Sequence, residues 1–250
     1  MAKDWDQHVL QAEELANSDG FERLRDEIVG LAAAGPDDVV VDVGAGTGLL
    51  TLALAPCVAK VWAVDISEAM LGHLATKAAA AELANVETAA ANAVRLPLAD
   101  GSASLVVSNY CYHHLSDDDK ERGLVEVFRV LRPGGRVVIG DMMFRVQIND
   151  PRSRHVIVSK IRALVRRGPA GLLRLLKNAL RMLFGRWEQP ADADWWRRAL
   201  ERSGYTDIRV HLLEHEGGII TARRGVRSRR EKRWRRTRKD PLVPFATDHS

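Results

Sequence analysis

The run Val39-Val40-Val41-Asp42-Val43-Gly44-Ala45-Gly46-Thr47-Gly48-Leu49-Leu50 constrains this chain more than any other stretch. A β-branched run passes straight into three glycines at alternate positions, then into further apolar residues. That order reads as a buried parallel strand, a tight turn and a helix start. Glycine tolerates the sharp turn and lets a ligand lie against the main chain. The helix after the glycines offers unpaired N–H groups in its first turn. A strand feeding a helix in this way is the unit of an α/β sheet.

Two nucleotide-binding loops share this outline, and neither matches. The dinucleotide fingerprint needs glycines at 44, 46 and 49, but position 49 is Leu. The phosphate-binding P-loop needs a Gly-Lys-Ser/Thr ending, and no Lys is present here. What remains is acidic-x-Gly-x-Gly-x-Gly, from Asp42 to Gly48. A plain strand–helix turn reads the same way, so the assignment depends on the rest of the chain.

The 250 residues suit one α/β domain with a sizeable core. Two cysteines, Cys57 and Cys111, in apolar surroundings speak against a disulfide scaffold or a Cys-rich zinc site and fit a reducing cytosol. No metal site is expected, because no His/Cys/Asp cluster has ligand spacing. No apolar segment follows Lys3, Asp4 and Asp6, so no signal peptide is expected, and no apolar run is long enough to span a membrane. The net charge of +4 is segregated: residues 1–144 carry 11 Lys/Arg against 22 Asp/Glu, residues 145–189 carry 11 against 2, and residues 223–250 carry 11 against 3.

Along the chain, residues 1–18 read as one helix, and Asp19 with Glu22 caps a second, through about Ala34. Strands are expected at 39–43, 60–64, 86–90, 104–109, 136–142, 206–213 and 217–222. Ser67, Ser116 and Asp192 stand as helix caps. Asp65 closes the second strand, 19 residues after Gly46, near where a doubly wound fold places an acidic ribose ligand. A carboxylate accepts the two donors that a ribose diol offers.

Four stretches, in order, resemble the class I S-adenosylmethionine (SAM) dependent methyltransferases of the methyltransferase-11 type, a group that includes ubiquinone and menaquinone C-methyltransferases. They are Asp42 to Gly48; Asp65-Ile66-Ser67-Glu68-Ala69-Met70-Leu71; Ala91-Asn92-Ala93-Val94-Arg95-Leu96-Pro97-Leu98-Ala99-Asp100-Gly101-Ser102; and Asn109-Tyr110-Cys111-Tyr112-His113-His114 with Leu131-Arg132-Pro133-Gly134-Gly135 beyond it. The resemblance implies a Rossmann-like, seven-stranded, mostly parallel sheet with helices on both faces and strand seven antiparallel between five and six. It implies SAM as cofactor, held by Asp42, Gly44, Ala45, Gly46, Gly48, Asp65, Ile66, Asn92, Ala93 and Asn109. Asn92 departs from the pattern, since an acidic residue usually meets the adenine amino group there; its amide oxygen accepts a hydrogen bond but carries no charge. Tyr110, Tyr112 and His114 are expected to shape an acceptor pocket, and His113 is the candidate base because imidazole titrates near working pH. Residues 1–36 are expected to cover the cofactor cleft, with Trp5 and His8 as lid residues.

After the fifth strand, residues 145–189 have a helical, basic pattern. They read either as a cover over the acceptor side or as a helix in a membrane interface. The tail from 223 holds a block of Arg and Lys through 239. It reads as a solvating segment or as a contact for an anionic membrane or nucleic acid. The acceptor expected is a small molecule, lipid-soluble such as a quinone precursor or polyketide, and the location is the cytoplasm or the inner face of the membrane. Two rivals stay open. One is a nucleic-acid methyltransferase recruited by the tail, although strand four lacks an Asn/Asp-Pro-Pro-aromatic ending. The other is a SAM-binding module without turnover.

Overall fold

The structure is a computed structural model that describes residues 5–143, 189–213 and 217–226, with isolated positions at 158, 162, 165 and 168. The expected basic insertion over 145–189 lies outside the described residues apart from Gln189 and those positions. So does the tail beyond Val226.

Seven strands form one sheet: β1 Val39–Val43, β2 Lys60–Asp65, β3 Val86–Ala90, β4 Ala103–Asn109, β5 Leu131–Met142, β6 Tyr205–Leu212 and β7 Gly217–Arg224. Their order is β3-β2-β1-β4-β5-β7-β6. The first five pair in parallel, and β7 runs antiparallel between β5 and β6. The helices are α1 Val9–Ala16, α2 Asp19–Ala32, α3 Leu49–Leu54, α4 Glu68–Ala80, α5 Asp117–Val130 and α6 Ala193–Arg202.

Successive side chains of a strand face opposite ways, and here both faces are covered. Val41, Val106, Val137, Ile139 and Ile220 pack with Leu124 and Val127 of α5 and Trp196 and Leu200 of α6. Their neighbours Val40, Leu105, Val107, Val138 and Ile219 pack the other way, against Ile28 of α2 and Leu50 of α3. Each such fully buried aliphatic stabilises the fold by about 1.5–3 kcal/mol. Three caps form as their residue types require: the oxygens of Ser67, Ser116 and Asp192 accept from the N–H groups of Met70, Asp119 and Trp195.

Four boundaries differ from expectation. The N-terminal helix is split, with a short 3-10 turn over Asp6–His8 before α1. The residue at the N-cap of α2 is Ser18, whose hydroxyl instead donates to the Leu15 carbonyl, and Asp19 is already helical. β5 begins at Leu131, opposite Ala103, and the Pro-Gly-Gly stretch forms a register shift inside the strand rather than a turn before it. β7 continues to Arg224, so the first two arginines assigned to the tail belong to the sheet. Arg223 pairs opposite Arg136 and Arg224 opposite Tyr205, and the Arg224 guanidinium lies 4.7 Å over the Phe128 ring while donating to the Leu131 carbonyl.

At the amino ends of the strands a polar clamp ties three elements together. Asp38 accepts from Arg136 (2.7 Å), from the Ser104 hydroxyl (2.6 Å) and from the Gly35 N–H (2.9 Å). Arg136 also donates to the carbonyls of Ala32 and Ala33 at the end of α2. The Arg136 hydrogen bond, with those of Ser104 and Gly35, outweighs burial and holds the Asp38 carboxyl well below the usual range. Asp38→Ala strands a shielded guanidinium, so we expect a loss of about 3 kcal/mol of stability in urea unfolding. A loss under about 1 kcal/mol would show that solvent already satisfies Arg136.

Candidate active site

Strand order reverses between β1 and β4, and ligands of such sheets sit outside the carboxyl ends of the strands at that point. The sequence places Asp42 near the end of β1 with the glycines just past it, Asn109 at the end of β4 with Tyr110 just past it, and Asp65 at the end of β2.

The glycine loop is pinned to β2. The N–H groups of Gly44 and Ala45 both donate to the Val64 carbonyl (2.8 and 3.0 Å), and the Gly46 N–H donates to Asp65 Oδ2 (2.8 Å). Those N–H groups are spent within the protein, which suits a loop that abuts a ligand rather than one that cradles phosphate. Gly44 has φ +73, and a side chain there would meet Cys111. At Gly46, by contrast, an added Cβ meets only the Met70 sulfur, at 3.8 Å, so the main chain faces open space.

Carboxylates dominate the local field. Asp42 is 1 % exposed and accepts from the Thr51 hydroxyl at 2.7 Å. Burial first, then the Asp65 charge, push it up to about 7 against the Thr51 hydrogen bond. Asp65 uses Oδ1 on the Ser67 N–H and Oδ2 on the Gly46 N–H. Burial raises its pKa, opposed by those two N–H groups and that of Ile66, while Asp6 adds to the rise. Burial, then Asp65, Asp141 and Asp42, raise the Cys111 thiol, so all three carboxylates lie around this one residue.

The opposite wall is aromatic. Tyr110 adopts the left-handed conformation (φ 51), which is uncommon without glycine and marks local strain at the end of β4. Its ring meets Phe21 at 5.0 Å and His113 at 5.5 Å; His113 meets His114 at 3.8 Å, and His114 meets Trp5 at 4.6 Å. Asn109, at the base of this wall, has a buried Oδ1 with no protein hydrogen-bond partner. His113 Nδ1 lies 2.6 Å from Asp141 Oδ1, and the His113 main-chain N–H donates to Asp141 Oδ2 (3.0 Å).

The structure thus brings Asp42, Gly44, Ala45, Gly46, Asp65, Asn109, Tyr110, His113 and His114 to one crevice. Ile66 is 55 % exposed beside Asp65, an apolar surface free to take a flat ring. Asn92 departs from expectation in detail: its Oδ1 accepts from the Val94 N–H (3.1 Å), so the oxygen meant for an amino group already holds a local turn around Ala93. Tyr112 is a correction. It is 0 % exposed and packs edge-on against Trp196 in the core, because the left-handed Tyr110 and the 3-10 turn at Tyr112–His114 send its ring away from the crevice. Sequence reading missed Asp141. The N-terminal segment docks here too: Asp6 accepts from the Ser67 hydroxyl, and Glu13 bonds Lys77 (2.7 Å) and Thr47 of the glycine loop.

A family model described as a methyltransferase domain matches residues 40–135. The ubiquinone/menaquinone biosynthesis C-methyltransferase of Vibrio vulnificus is 28% identical over 220 residues, covering 84% of this chain and 80% of that protein. This is a class I S-adenosylmethionine-dependent methyltransferase. An arsenite methyltransferase of Halobacterium salinarum is 36% identical to it over 115 residues, 45% of this chain but 29% of that protein. The methyltransferase also shares its fold with a SAM-dependent methyltransferase from Aquifex aeolicus, with TM-score 0.61, 18% identity and coverage of 86% and 97% of the two chains.

The crevice fits that cofactor. SAM carries a sulfonium and an ammonium, and the carboxylates of Asp42, Asp65 and Asp141 gathered around Cys111 give this end of the sheet a negative field that favours such cations. A testable consequence concerns Asp42, whose folded pKa is raised. Below its unfolded value of 3.8 it is protonated in both states. As pH rises from there to about 7 the unfolded chain gives up the proton and the folded chain keeps it, so stability falls across that window. A cationic cofactor favours the ionised form, so binding should release a proton at about pH 6. Calorimetry in two buffers of different ionisation enthalpy reads that proton as unequal apparent heats; equal heats would contradict it.

Proposed function

We propose that this methyltransferase transfers the methyl group of SAM to a ring carbon of a hydroxylated, electron-rich aromatic small molecule of the quinol type. The observation that carries the reading is the aromatic wall of Phe21, Tyr110, His113 and His114 beside Asn109, a surface suited to a flat ring. The match along most of the chain to a ubiquinone/menaquinone C-methyltransferase supports the same acceptor class.

When bound, SAM supplies a methyl group already activated by the positive sulfur, so the protein's task is positioning and charge placement. Asp65 holds the ribose diol through the lone pairs that Ser67 and Gly46 leave. Ile66 backs the adenine, and the Asn92–Ala93 turn borders its edge. Gly46 lets the main chain approach the methionine portion. Asp42 sets the field for the ammonium. Tyr110 and His114 shape the acceptor side, and Trp5 and His8 of the N-terminal segment close over it.

We extend the proposal to membrane attachment: the stretches 145–189 and 225–239 are rich in Lys and Arg, a composition that favours an anionic membrane, where a lipid-soluble quinol resides. Among the described residues no helix is long and apolar enough to cross a membrane. Flotation with anionic vesicles that survives high salt supports an inserted helix.

The test is incubation with methyl-labelled SAM and a prenylated naphthohydroquinone, with arsenite and RNA in parallel. The expected result is a ring-methylated product with one S-adenosylhomocysteine per methyl. Methyl transfer to RNA or arsenite alone, or to none of the three, would overturn the reading.

A further inference from the structure

We infer that Asp141 is a positioning residue that fixes His113 as the proton acceptor of this site, so that the methyl acceptor is a group which must lose a proton during transfer. The inference rests on the quinol reading above and deepens it. His113 is 4 % exposed and Asp141 1 % exposed. Asp141 holds the histidine at two points, the imidazole at Nδ1 (2.6 Å) and the backbone at the main-chain N–H (3.0 Å). Its Oδ1 also accepts from the Met142 N–H (2.6 Å). A carboxylate at Nδ1 requires the N–H there, which leaves the lone pair on Nε2. The same carboxylate stabilises the imidazolium that forms once Nε2 takes a proton. A histidine placed only for packing needs no buried anion at Nδ1.

The balance closes without a further reactant. The nucleophilic carbon of the hydroxyarene forms a bond to the methyl carbon as the carbon–sulfur bond breaks, its electron pair passing to sulfur. The phenolic proton passes to Nε2 and from there to water. The resulting ring ketone then enolises: the ring proton at the methylated carbon passes to water and the oxygen takes a proton back, so one proton is released per methyl transferred. An acceptor with no proton to lose, such as a thioether, gains nothing from this pair.

The groups facing His113 are Asp141 from β5, Tyr110, Cys111 and His114 from the loop after β4, and His8 through Trp5; Asp42 and Asp65 stand behind Cys111. Substitution has to separate the base from the fold. His113→Asn keeps an N–H donor near the Nδ1 position for Asp141 and removes Nε2. Asp141→Asn lets the imidazole turn to the tautomer with the proton on Nε2.

With the full chain, SAM and prenylated naphthohydroquinone, both variants should lose about 100-fold in kcat. Calorimetric affinity for S-adenosylhomocysteine should stay within about threefold, and the acid limb of the wild-type pH profile should vanish in His113→Asn. Turnover within about threefold of wild type with an unchanged limb overturns the inference. A wild type that leaves the hydroquinone unmethylated refutes the acceptor class instead. The pair is then judged by NMR of the imidazole nitrogens in the S-adenosylhomocysteine complex. At the pH of turnover, a proton on Nδ1 with a bare Nε2 supports it. A proton on Nε2 with a bare Nδ1 overturns it.

Discussion

Replacing Asp65 with alanine is expected to weaken S-adenosylhomocysteine binding by about 300-fold. The carboxylate sits at the end of β2 with one oxygen on the Ser67 N–H and the other on the Gly46 N–H. Each oxygen has a second lone pair, and the two together match a ribose diol. Losing two hydrogen bonds to a charged group costs about 3–4 kcal/mol, which is a few hundredfold in affinity. The substitution also frees the Gly46 N–H, so the loop facing the methionine portion loosens with the ribose contact. Asp65→Asn distinguishes the two effects: its amide oxygen can still accept from one N–H, and affinity should fall less than in the alanine variant. Calorimetric titration checks both. Affinity within about threefold of wild type in Asp65→Ala would remove the residue from the cofactor site.

The second large effect is on folding. Gly44→Ala meets two penalties at once. Its φ of +73 is a left-handed conformation that favours glycine, and its new Cβ would stand 2.5 Å from Cys111 Sγ and 2.6 Å from Cys111 Cβ. Neither neighbour gives way easily, since the Gly44 N–H is bonded to Val64 and Cys111 follows the strained Tyr110. A loss of about 3–4 kcal/mol is expected, lowering the melting temperature by roughly 6–16 °C in a chain of this size. The steric part is separable. Cys111→Gly removes both clashing atoms, so the double variant should recover the steric share and keep the backbone share of about 1–2 kcal/mol. Strict additivity in the double variant would show that Cys111 is not what excludes a side chain at 44.

How much of the fold and site was legible in the chain varies with the range of the interaction. β1 to β4 are set by β-branched runs and turn residues within a few positions, and the Ser67, Ser116 and Asp192 caps act over three residues. These appear where local chemistry puts them. The crevice residues from Asp42 to Asp65 follow from the same local signals plus topology. Asp141 was not legible, because its value lies in a contact with His113 that only the β4–β5 pairing creates; in sequence it is an acidic residue at a strand end. Tyr112 was misplaced because a non-glycine left-handed residue at Tyr110 carries no sequence mark. The fifth strand reads only from 136 because the pairing of Leu131 with Ala103, which carries it through Pro133-Gly134-Gly135, is tertiary. Arg223 and Arg224 read as tail because the charge run hides the stacking of Arg224 on Phe128 and the bonds of the two arginines to the carbonyls of Gly134 and Leu131.

The two halves of the chemistry depend on different walls of one crevice. The carboxylate side suits a cationic cofactor, and the aromatic side, with His113 backed by Asp141, suits a flat acceptor that sheds a proton. A crystal structure with S-adenosylhomocysteine tests this division most directly. The account predicts the ribose hydroxyls on Asp65, the adenine against Ile66, and the homocysteine portion running past Gly46 to Asn109, with its sulfur facing the side of Tyr110 and His113. A ligand bound elsewhere, or one whose sulfur points away from His113, would contradict it.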